Sequence, residues 1–292
     1  MNLSSHCNRL SLPEKKKYSL PKILDRREER ICMSYEKILF KKEGPVATIT
    51  FNDPEKLNPM GFLMAEGTRL ALEECARDEA IRAVILTGAG RAFSAGGDLR
   101  EIRRNVPPLL FREGIARVFK TTLAIVDIEK PVIAAVNGPA VGVAFNMALA
   151  CDIIVASEAA SFSEIFVHVG LIPDGGAHFL LPRIVGLAKA KELIYTGKII
   201  PAKEAEALGL VNQVVPADKF DSAVSEWANR LAKGPTRAIG MAKKILNMSF
   251  QSSLADIIQI ETEMQTLLRE SEDHKEGIAA FFEKRLPSFK GK

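Results

Sequence analysis

The sequence predicts an α/β fold, and three observations lead to that prediction. Short, nearly continuous apolar segments recur between residues 46 and 156, and segments with helical spacing separate them. The first three apolar segments each end at a turn that contains glycine or proline. Strands that are apolar on both faces are typical of parallel sheets covered by helices. We therefore expect a largely parallel sheet between helical layers.

The predicted elements follow one another in a regular order. Residues 46–51 are β-rich and stop at Asn52-Asp53-Pro54, and residues 60–77 carry an apolar stripe at helical spacing. Further strands are predicted at residues 83–87, 132–136 and 153–156, and a helix at residues 144–151. Helical spacing then recurs at residues 220–233, 236–247, 254–269 and 275–282, with Pro235 suited to a helix start. We divide the chain into an α/β core, residues 33–230, and a C-terminal helical region, residues 231–292.

The first 32 residues are predicted to be a mobile tail. They lack the continuous apolar stretch of a secretory signal, and their acidic residues are unlike those of a transit peptide. Met33 directly precedes the segment that leads into the first strand, so it is an alternative natural start. Both interpretations stay open on the sequence.

Composition excludes several classes of protein. The 292-residue chain has no uncharged apolar run of about 18 residues, which a membrane-spanning helix requires. Its net charge of +4 lies in the tail, because residues 33–292 contain 32 basic and 32 acidic residues. A neutral body argues against nucleic-acid binding. The four cysteines have no metal-binding spacing and are expected to be reduced thiols of a cytoplasmic protein.

Two loops are the candidates for chemistry. In residues 91–99, two glycines follow a strand and free the main-chain amide of Gly97 to face a ligand oxygen. Residues 137–143 lead into the predicted helix at 144–151, whose positive end is expected to point at the same oxygen. Two amides that converge on one oxygen form an oxyanion hole. No serine-hydrolase, zinc-protease or P-loop motif competes with this interpretation.

Several motifs occur in a fixed order from about Tyr35 to the end of the chain. They are FSAGGDL at residues 93–99, KPVIAAVNG at 130–138, ACDI at 150–153, GLIPDGG at 170–176 and EGIAAFFEKR at 276–285. In this order and spacing they resemble the crotonase family, the enoyl-CoA hydratase/isomerase superfamily. The resemblance implies a spiral of β-β-α repeats, C-terminal helices that assemble a homotrimer or a dimer of trimers, and an acyl-CoA substrate. It implies neither a metal nor a cofactor beyond the coenzyme A of the substrate.

The resemblance also assigns residues to the substrate. Gly97 and Val143 match the two amides that bind the thioester oxygen. Val143 stands where the family usually has glycine, so a narrower pocket is expected. Phe166 is expected to lie in the substrate pocket. Residues that match the coenzyme A contacts are Lys56, Leu57, Ala95, Asp98 and Leu99 along its arm, and Phe281 and Lys284 at its adenine end.

The acid–base residues decide the reaction. Asn146 and Phe166 stand where related hydratases have two glutamates, and neither side chain transfers a proton. Glu164 falls two residues before the second of these positions and is predicted to be a surface or loop acid. Asp174 matches the single carboxylate of isomerases and ring-acting members, with capping of the next helix as its alternative role.

Three functions follow from this set of residues. One carboxylate is sufficient to move a double bond, so isomerisation of an unsaturated acyl-CoA is the leading prediction. Hydration of an enoyl-CoA or cyclic dienoyl-CoA is the alternative, with Asp174 acting alone or Asn146 orienting the water. The second alternative is a catalytically silent protein that binds coenzyme A.

Overall fold

The computed structural model describes residues 35–103 and 105–292, so the predicted tail at residues 1–32 lies outside the described part. Strands and helices alternate through the first two thirds of this part, and helices alone make up the last third. The strands are β1 (Ile38–Glu43), β2 (Val46–Phe51), β3 (Ala83–Gly88), β4 (Val132–Val136), β5 (Ala140–Val141), β6 (Ile153–Ser157), β7 (Ser161–Ser163), β8 (Ile200–Pro201) and β9 (Gln213–Val215). The helices are α1 (Phe62–Arg77), α2 (Leu99–Ile102), α3 (Pro108–Asp127), α4 (Val143–Leu149), α5 (Ala177–Thr196), α6 (Ala202–Ala207), α7 (Phe220–Ala232), α8 (Thr236–Met248), α9 (Leu254–Arg269) and α10 (Glu272–Glu283).

The main sheet has the strand order β1-β2-β3-β4-β6-β9. Its inner pairs are parallel, as predicted, and β1 adds an antiparallel edge to β2. A smaller sheet has the order β5-β7-β8. Because all inner strands of the main sheet run the same way, their carboxyl ends and the loops that follow them lie at one edge of the sheet.

Helices cover both faces of the main sheet. Along β3, Val84 and Leu86 pack in the larger apolar cluster with α1, α3, α4 and α5, whereas Ile85 packs in a second cluster with α7. Successive side chains of a strand point to opposite faces, so a strand buried on both sides must be apolar throughout. The continuous apolar runs in the sequence have this cause, and the predicted α/β class is confirmed.

A buried lysine fastens α8 to the sheet. The side chain of Lys243 is 6% exposed, and its Nζ donates to Asp152 Oδ2 at 2.8 Å and to the main-chain oxygen of Ile125 at 2.8 Å. The same Asp152 oxygen accepts a hydrogen bond from Val132 N at 2.7 Å. The first part of the C-terminal region is therefore tied to β4 by an ion pair whose partners are both hydrogen-bonded.

Helix α3, like α5, is a 20-residue helix for which the sequence pattern predicted no range. Its buried face consists of Val118, Thr121, Thr122 and Ile125. Two threonines on that face interrupt the apolar stripe on which helix prediction depends. Among the described helices, none combines the length and apolar character that crossing a membrane requires.

Candidate active site

The loop after β3 is shaped by a buried asparagine in a left-handed conformation. Asn58 has φ of +54° and is fully buried. Its Nδ2 donates to the main-chain oxygens of Ala89 and Ala92 at 2.8 and 2.9 Å, and its Oδ1 accepts from Asp53 N at 2.9 Å. Asparagine tolerates positive φ better than most residues. Sequence reasoning missed Asn58, although an asparagine directly after Pro54-Glu-Lys-Leu57 is a turn signal.

The loop after β3 lies directly against the loop that precedes α4. Ser94 bridges to Ala140, and Val141 N donates to Ser94 O at 3.1 Å. Gly96 has φ of +89°, and a Cβ atom there would lie 2.7 Å from Val141 O. Glycine is therefore required at position 96 by both its backbone angle and the close approach. Gly97 and Val143 follow these contacting segments.

The main-chain amides of Gly97 and Val143 are free to bind a ligand. Val143 is the first residue of α4, so its N–H group has no acceptor within the helix. Across residues 35–103 and 105–292, neither amide donates a hydrogen bond to the protein. Two free donors in adjoining loops are the elements from which an oxyanion hole is built.

Asp174 lies in the loop before α5, next to Val143. A Cβ atom on Gly175 would lie 3.0 Å from Val143 Cγ2, so the chain directly after Asp174 packs on the valine side chain. Asp174 Oδ1 is buried and has no hydrogen-bond partner among the described atoms. Burial raises the pKa of this carboxyl to about 6. Such a group is mostly ionised at neutral pH and accepts or returns a proton readily.

The side chain of Asp174 does not cap helix α5, which was its alternative predicted role. Helix α5 begins after Gly176, which has φ of +97°, and no side chain caps that helix. The main-chain oxygen of Asp174 accepts from Ala177 N at 3.1 Å, whereas the carboxylate is left for other partners.

Asn146 connects Asp174 to a second acid. Its side chain is fully buried on α4, and Nδ2 donates to the main-chain oxygen of Asp174 at 2.9 Å. The same nitrogen donates to Glu164 Oε2 at 3.4 Å. The residue that replaces a hydratase glutamate therefore holds the loop that carries Asp174.

Glu164 lies in the connection after β7, as its prediction as a surface or loop acid allowed, but it is buried, so the surface alternative was wrong. It is 1% exposed, and burial raises its pKa to about 8, with the negative charge of Asp174 acting in the same direction. Glu164 continues a run of three consecutive buried residues, because Phe162 and Ser163 at the end of β7 are buried as well.

Five of the seven predicted coenzyme A contacts lie on two adjoining segments, residues 56–57 and 95–99, which together form one rim of the site. Leu57 has φ of +61° and accepts from Ala95 N at 2.8 Å, while Asp98 caps α2 and pairs with Arg100 at 2.9 Å. Hydrogen bonding to Arg100 lowers the pKa of Asp98. The surface of this rim is formed by the exposed residues Lys56, Ala95 and Leu99.

Phe166 packs against the loop before α4, and its place in the substrate pocket stays a prediction. Among the described residues, no hydrogen bond or ring contact joins Phe281 or Lys284 to these loops. The Phe166 ring reaches within 3.3 Å of a Cβ placed on Gly142. Phe281 is 77% exposed and stacks edge-on against Phe282, and Lys284 ends α10. Contact of Phe281 and Lys284 with the adenine end stays a prediction. No three described His, Cys, Asp or Glu side chains are grouped as metal ligands.

A crotonase-type α/β enzyme is the class that this fold and this pair of loops define. The chain belongs to the enoyl-CoA hydratase/isomerase family, whose model matches residues 41–292. It is 37% identical to 1,2-epoxyphenylacetyl-CoA isomerase of Escherichia coli K12 over 262 residues, which cover 88% of this chain and 99% of that relative. It is 35% identical to trans-2-decenoyl-[acyl-carrier-protein] isomerase of Streptococcus mutans over 268 residues, 89% of this chain and 100% of that relative.

Solved structures agree with this assignment. The crystal structure of enoyl-CoA hydratase from Bacillus anthracis matches with a TM-score of 0.84 and 34% identity, covering 88% of this chain and 100% of that chain. Relatives of this chain therefore include proteins named as isomerases and as hydratases.

Proposed function

We propose that the protein is an isomerase that moves the double bond of an unsaturated acyl-CoA, with Asp174 as its proton-transfer residue. The observation that carries the proposal is the carboxyl of Asp174, which is partly buried, has an unpartnered oxygen and belongs to a loop that packs on the side chain of Val143, the residue whose amide is free. Two of the relatives are named as isomerases, one of 1,2-epoxyphenylacetyl-CoA and one of trans-2-decenoyl-[acyl-carrier-protein], which supports an isomerisation.

The proposed reaction begins with a 3-enoyl-CoA whose thioester oxygen accepts hydrogen bonds from the amides of Gly97 and Val143. Asp174 removes a proton from C2, and the electron pair of that C–H bond moves toward the thioester oxygen to give a dienolate. Each preorganised donor to this oxygen typically contributes about 3 kcal/mol to the barrier reduction. Asp174 then returns the proton to C4, which leaves the double bond between C2 and C3.

The pKa of Asp174 suits this cycle. A value of about 6 leaves the group mostly ionised at pH 7, so it starts as a base. The same raised pKa makes the carboxylate more basic than an exposed aspartate, because burial disfavours the charged form. One residue then serves as base in the first step and as acid in the second.

Hydration is the second candidate, and a specific observation favours it. Buried polar atoms without partners cluster around the loop of Asp174: Asn146 Oδ1, Glu164 Oε1, Asp174 Oδ1 and Thr122 Oγ1, the last on a side chain that packs near Gly176. Buried polar groups normally have hydrogen-bond partners. This set has the capacity to orient a water molecule for addition to a conjugated thioester.

Turnover of a 3-enoyl-CoA tests the proposal. The absorbance of the conjugated 2-enoyl thioester is expected to rise with the wild-type protein, and Asp174→Asn is expected to reduce kcat by about 10²–10⁴-fold, the usual contribution of a general acid–base residue. Glu158→Gln is the matched control, since Glu158 is an exposed carboxylate on the turn before β7.

The alternatives give different outcomes with other thioesters. Incorporation of ¹⁸O from labelled water into the product of a conjugated 2-enoyl-CoA would identify a hydratase. Tight binding of coenzyme A with no turnover across a panel of unsaturated thioesters would identify the silent binding protein. Equal turnover by wild type and Asp174→Asn would remove Asp174 from the mechanism.

Assembly as a homotrimer or a dimer of trimers is part of the proposal. The last two helices and their flanks expose several large apolar side chains, among them Leu254, Ile258, Leu267, Phe281 and Phe282. Exposed apolar residues in such number are typical of a surface that another chain covers. The cytoplasmic location and a role in fatty acid metabolism stay predictions.

A further inference from the structure

We propose that Glu164 is a positioning residue for Asp174: as a neutral carboxylic acid it holds the Asn146 amide that binds the Asp174 main chain. The inference rests on the proposed role of Asp174 as the proton-transfer residue. It assigns a function to a buried acid that the isomerase mechanism above does not use.

The first step of the argument is the hydrogen-bond geometry of Asn146. Its Nδ2 carries two hydrogens, and these have two acceptors, Glu164 Oε2 at 3.4 Å and Asp174 O at 2.9 Å. Loss of the Glu164 oxygen would leave one hydrogen unpaired in a fully buried site. Rotation of the Asn146 side chain toward another acceptor would then be favourable, and the hydrogen bond from Asn146 Nδ2 to the Asp174 main-chain oxygen would be lost.

The second step concerns charge. Glu164 is 1% exposed, and no lysine, arginine or histidine of the described chain contributes to its ionisation. The charged group that acts on it is Asp174, on the loop before α5, and Asn146 on α4 is neutral. Two carboxylates in one partly buried site repel each other, so one of them keeps its proton. The raised pKa of about 8 agrees that Glu164 is the protonated partner at neutral pH.

The third step is the count of donors. Asn146 Oδ1 and Glu164 Oε1 are both buried acceptors without a donor in the described structure. A carboxylate adds no donor, whereas a carboxylic acid contributes one O–H. A proton on Glu164 therefore supplies a donor that this cluster lacks, and this argument is independent of the electrostatic one.

A neutral Glu164 has a consequence for catalysis. Enolate formation places negative charge on the thioester oxygen. A second ionised carboxylate near Asp174 would repel that charge and raise the barrier. Ionisation of Glu164 above about pH 8 is therefore expected to lower the rate. The wild-type pH profile of kcat should rise through about pH 6 as Asp174 ionises and fall through about pH 8 as Glu164 ionises.

Two variants test the proposal through kcat. Glu164→Gln keeps an acceptor for Asn146 but cannot ionise, so its profile should lose the alkaline limb and exceed wild-type kcat about tenfold at pH 9, one unit above the lost ionisation. Glu164→Ala removes the acceptor and is expected to lower kcat about tenfold with little change in KM. Glu158→Gln, the exposed control, should keep the wild-type profile. An alkaline limb that persists in Glu164→Gln, or wild-type kcat in Glu164→Ala, would overturn the proposal.

Thermal unfolding supplies a readout that needs no activity. The raised folded-state pKa of Glu164 means that its stabilising contribution is complete below about pH 4.5 and is lost as the pH rises to about 8. The Tm of wild type should therefore fall relative to that of Glu164→Gln between pH 5 and pH 9. Parallel Tm curves would overturn the neutral-acid claim even in an active isomerase. An opening gap in a protein that turns over no 3-enoyl-CoA would support that claim and overturn the proposed function instead.

Discussion

The acidic groups at Asp152 and at the Glu164–Asp174 cluster have different partners. Asp152 Oδ2 accepts from both Lys243 and Val132, and the lysine also donates to a main-chain oxygen of α3. Within residues 35–103 and 105–292, Glu164 and Asp174 meet no basic side chain, and each has a buried oxygen without a partner. At the first site the carboxylate is paired with a lysine and hydrogen-bonded. At the second site Glu164 Oε1 and Asp174 Oδ1 accept no hydrogen bond from the described residues.

This difference separates a structural pair from a reactive group. A buried charge is tolerated when ion pairing and hydrogen bonds replace its lost hydration. Asp152 meets that condition and ties α8 to the sheet. Asp174 does not, and its unsatisfied oxygen keeps the affinity for a proton that acid–base catalysis needs. The unsatisfied oxygen lowers the stability of the folded protein, and it also gives Asp174 the proton affinity on which its proposed function depends.

Breaking the structural pair should have the largest effect on stability. Lys243→Met removes the ammonium group and leaves the Asp152 carboxylate with the Val132 amide alone, so we expect a loss of about 3 kcal/mol in the free energy of unfolding. Urea unfolding measures it. Lys244→Met is the control, because the Lys244 side chain is 67% exposed and its ion pair with Glu129 is long, at 3.4 Å between Nζ and Oε1. Equal losses in the two variants would show that the Asp152 pair is no more structural than a surface contact.

Breaking the reactive cluster should change activity more than stability. Asn146→Ala removes the amide that holds the Asp174 loop, and we expect kcat to fall about tenfold while the free energy of unfolding changes by about 1 kcal/mol. Parallel kinetics and urea unfolding measure the two effects. Asn247→Ala, at an exposed asparagine on α8, is the control. A stability loss as large as that of Lys243→Met, with kcat unchanged, would make Asn146 a structural residue and remove the contrast.

The sequence was informative wherever local chemistry determines the structure. Strand β4 could be predicted because all five of its residues are apolar and it is buried on both faces. The loop at Gly96 could be identified because close backbone approach and positive φ both demand glycine. Of the two residues of the proposed oxyanion hole, Gly97 lies within a motif that carries the family resemblance, whereas Val143 lies between two of these motifs.

The parts that the sequence did not reveal depend on contacts between distant segments. Glu164 is separated by 18 residues from Asn146, and its burial results from packing at the end of β7 rather than from its own polarity. Asn58 acts through hydrogen bonds to a loop 31 residues further along the chain. Lys243 is paired 91 residues away with Asp152. The identity of a polar residue does not indicate whether the fold places a distant hydrogen-bond partner next to it.

Exchange of the C2 hydrogens of a saturated acyl-CoA in D₂O tests the central claim most directly. A saturated chain has no double bond to move, so loss of the C2 proton signal in ¹H NMR reports enolate formation alone. We expect the wild-type protein to catalyse the exchange and Asp174→Asn to slow it by about a hundredfold or more. Exchange at the same rate in both proteins, or none in an active wild type, would contradict enolate formation by Asp174.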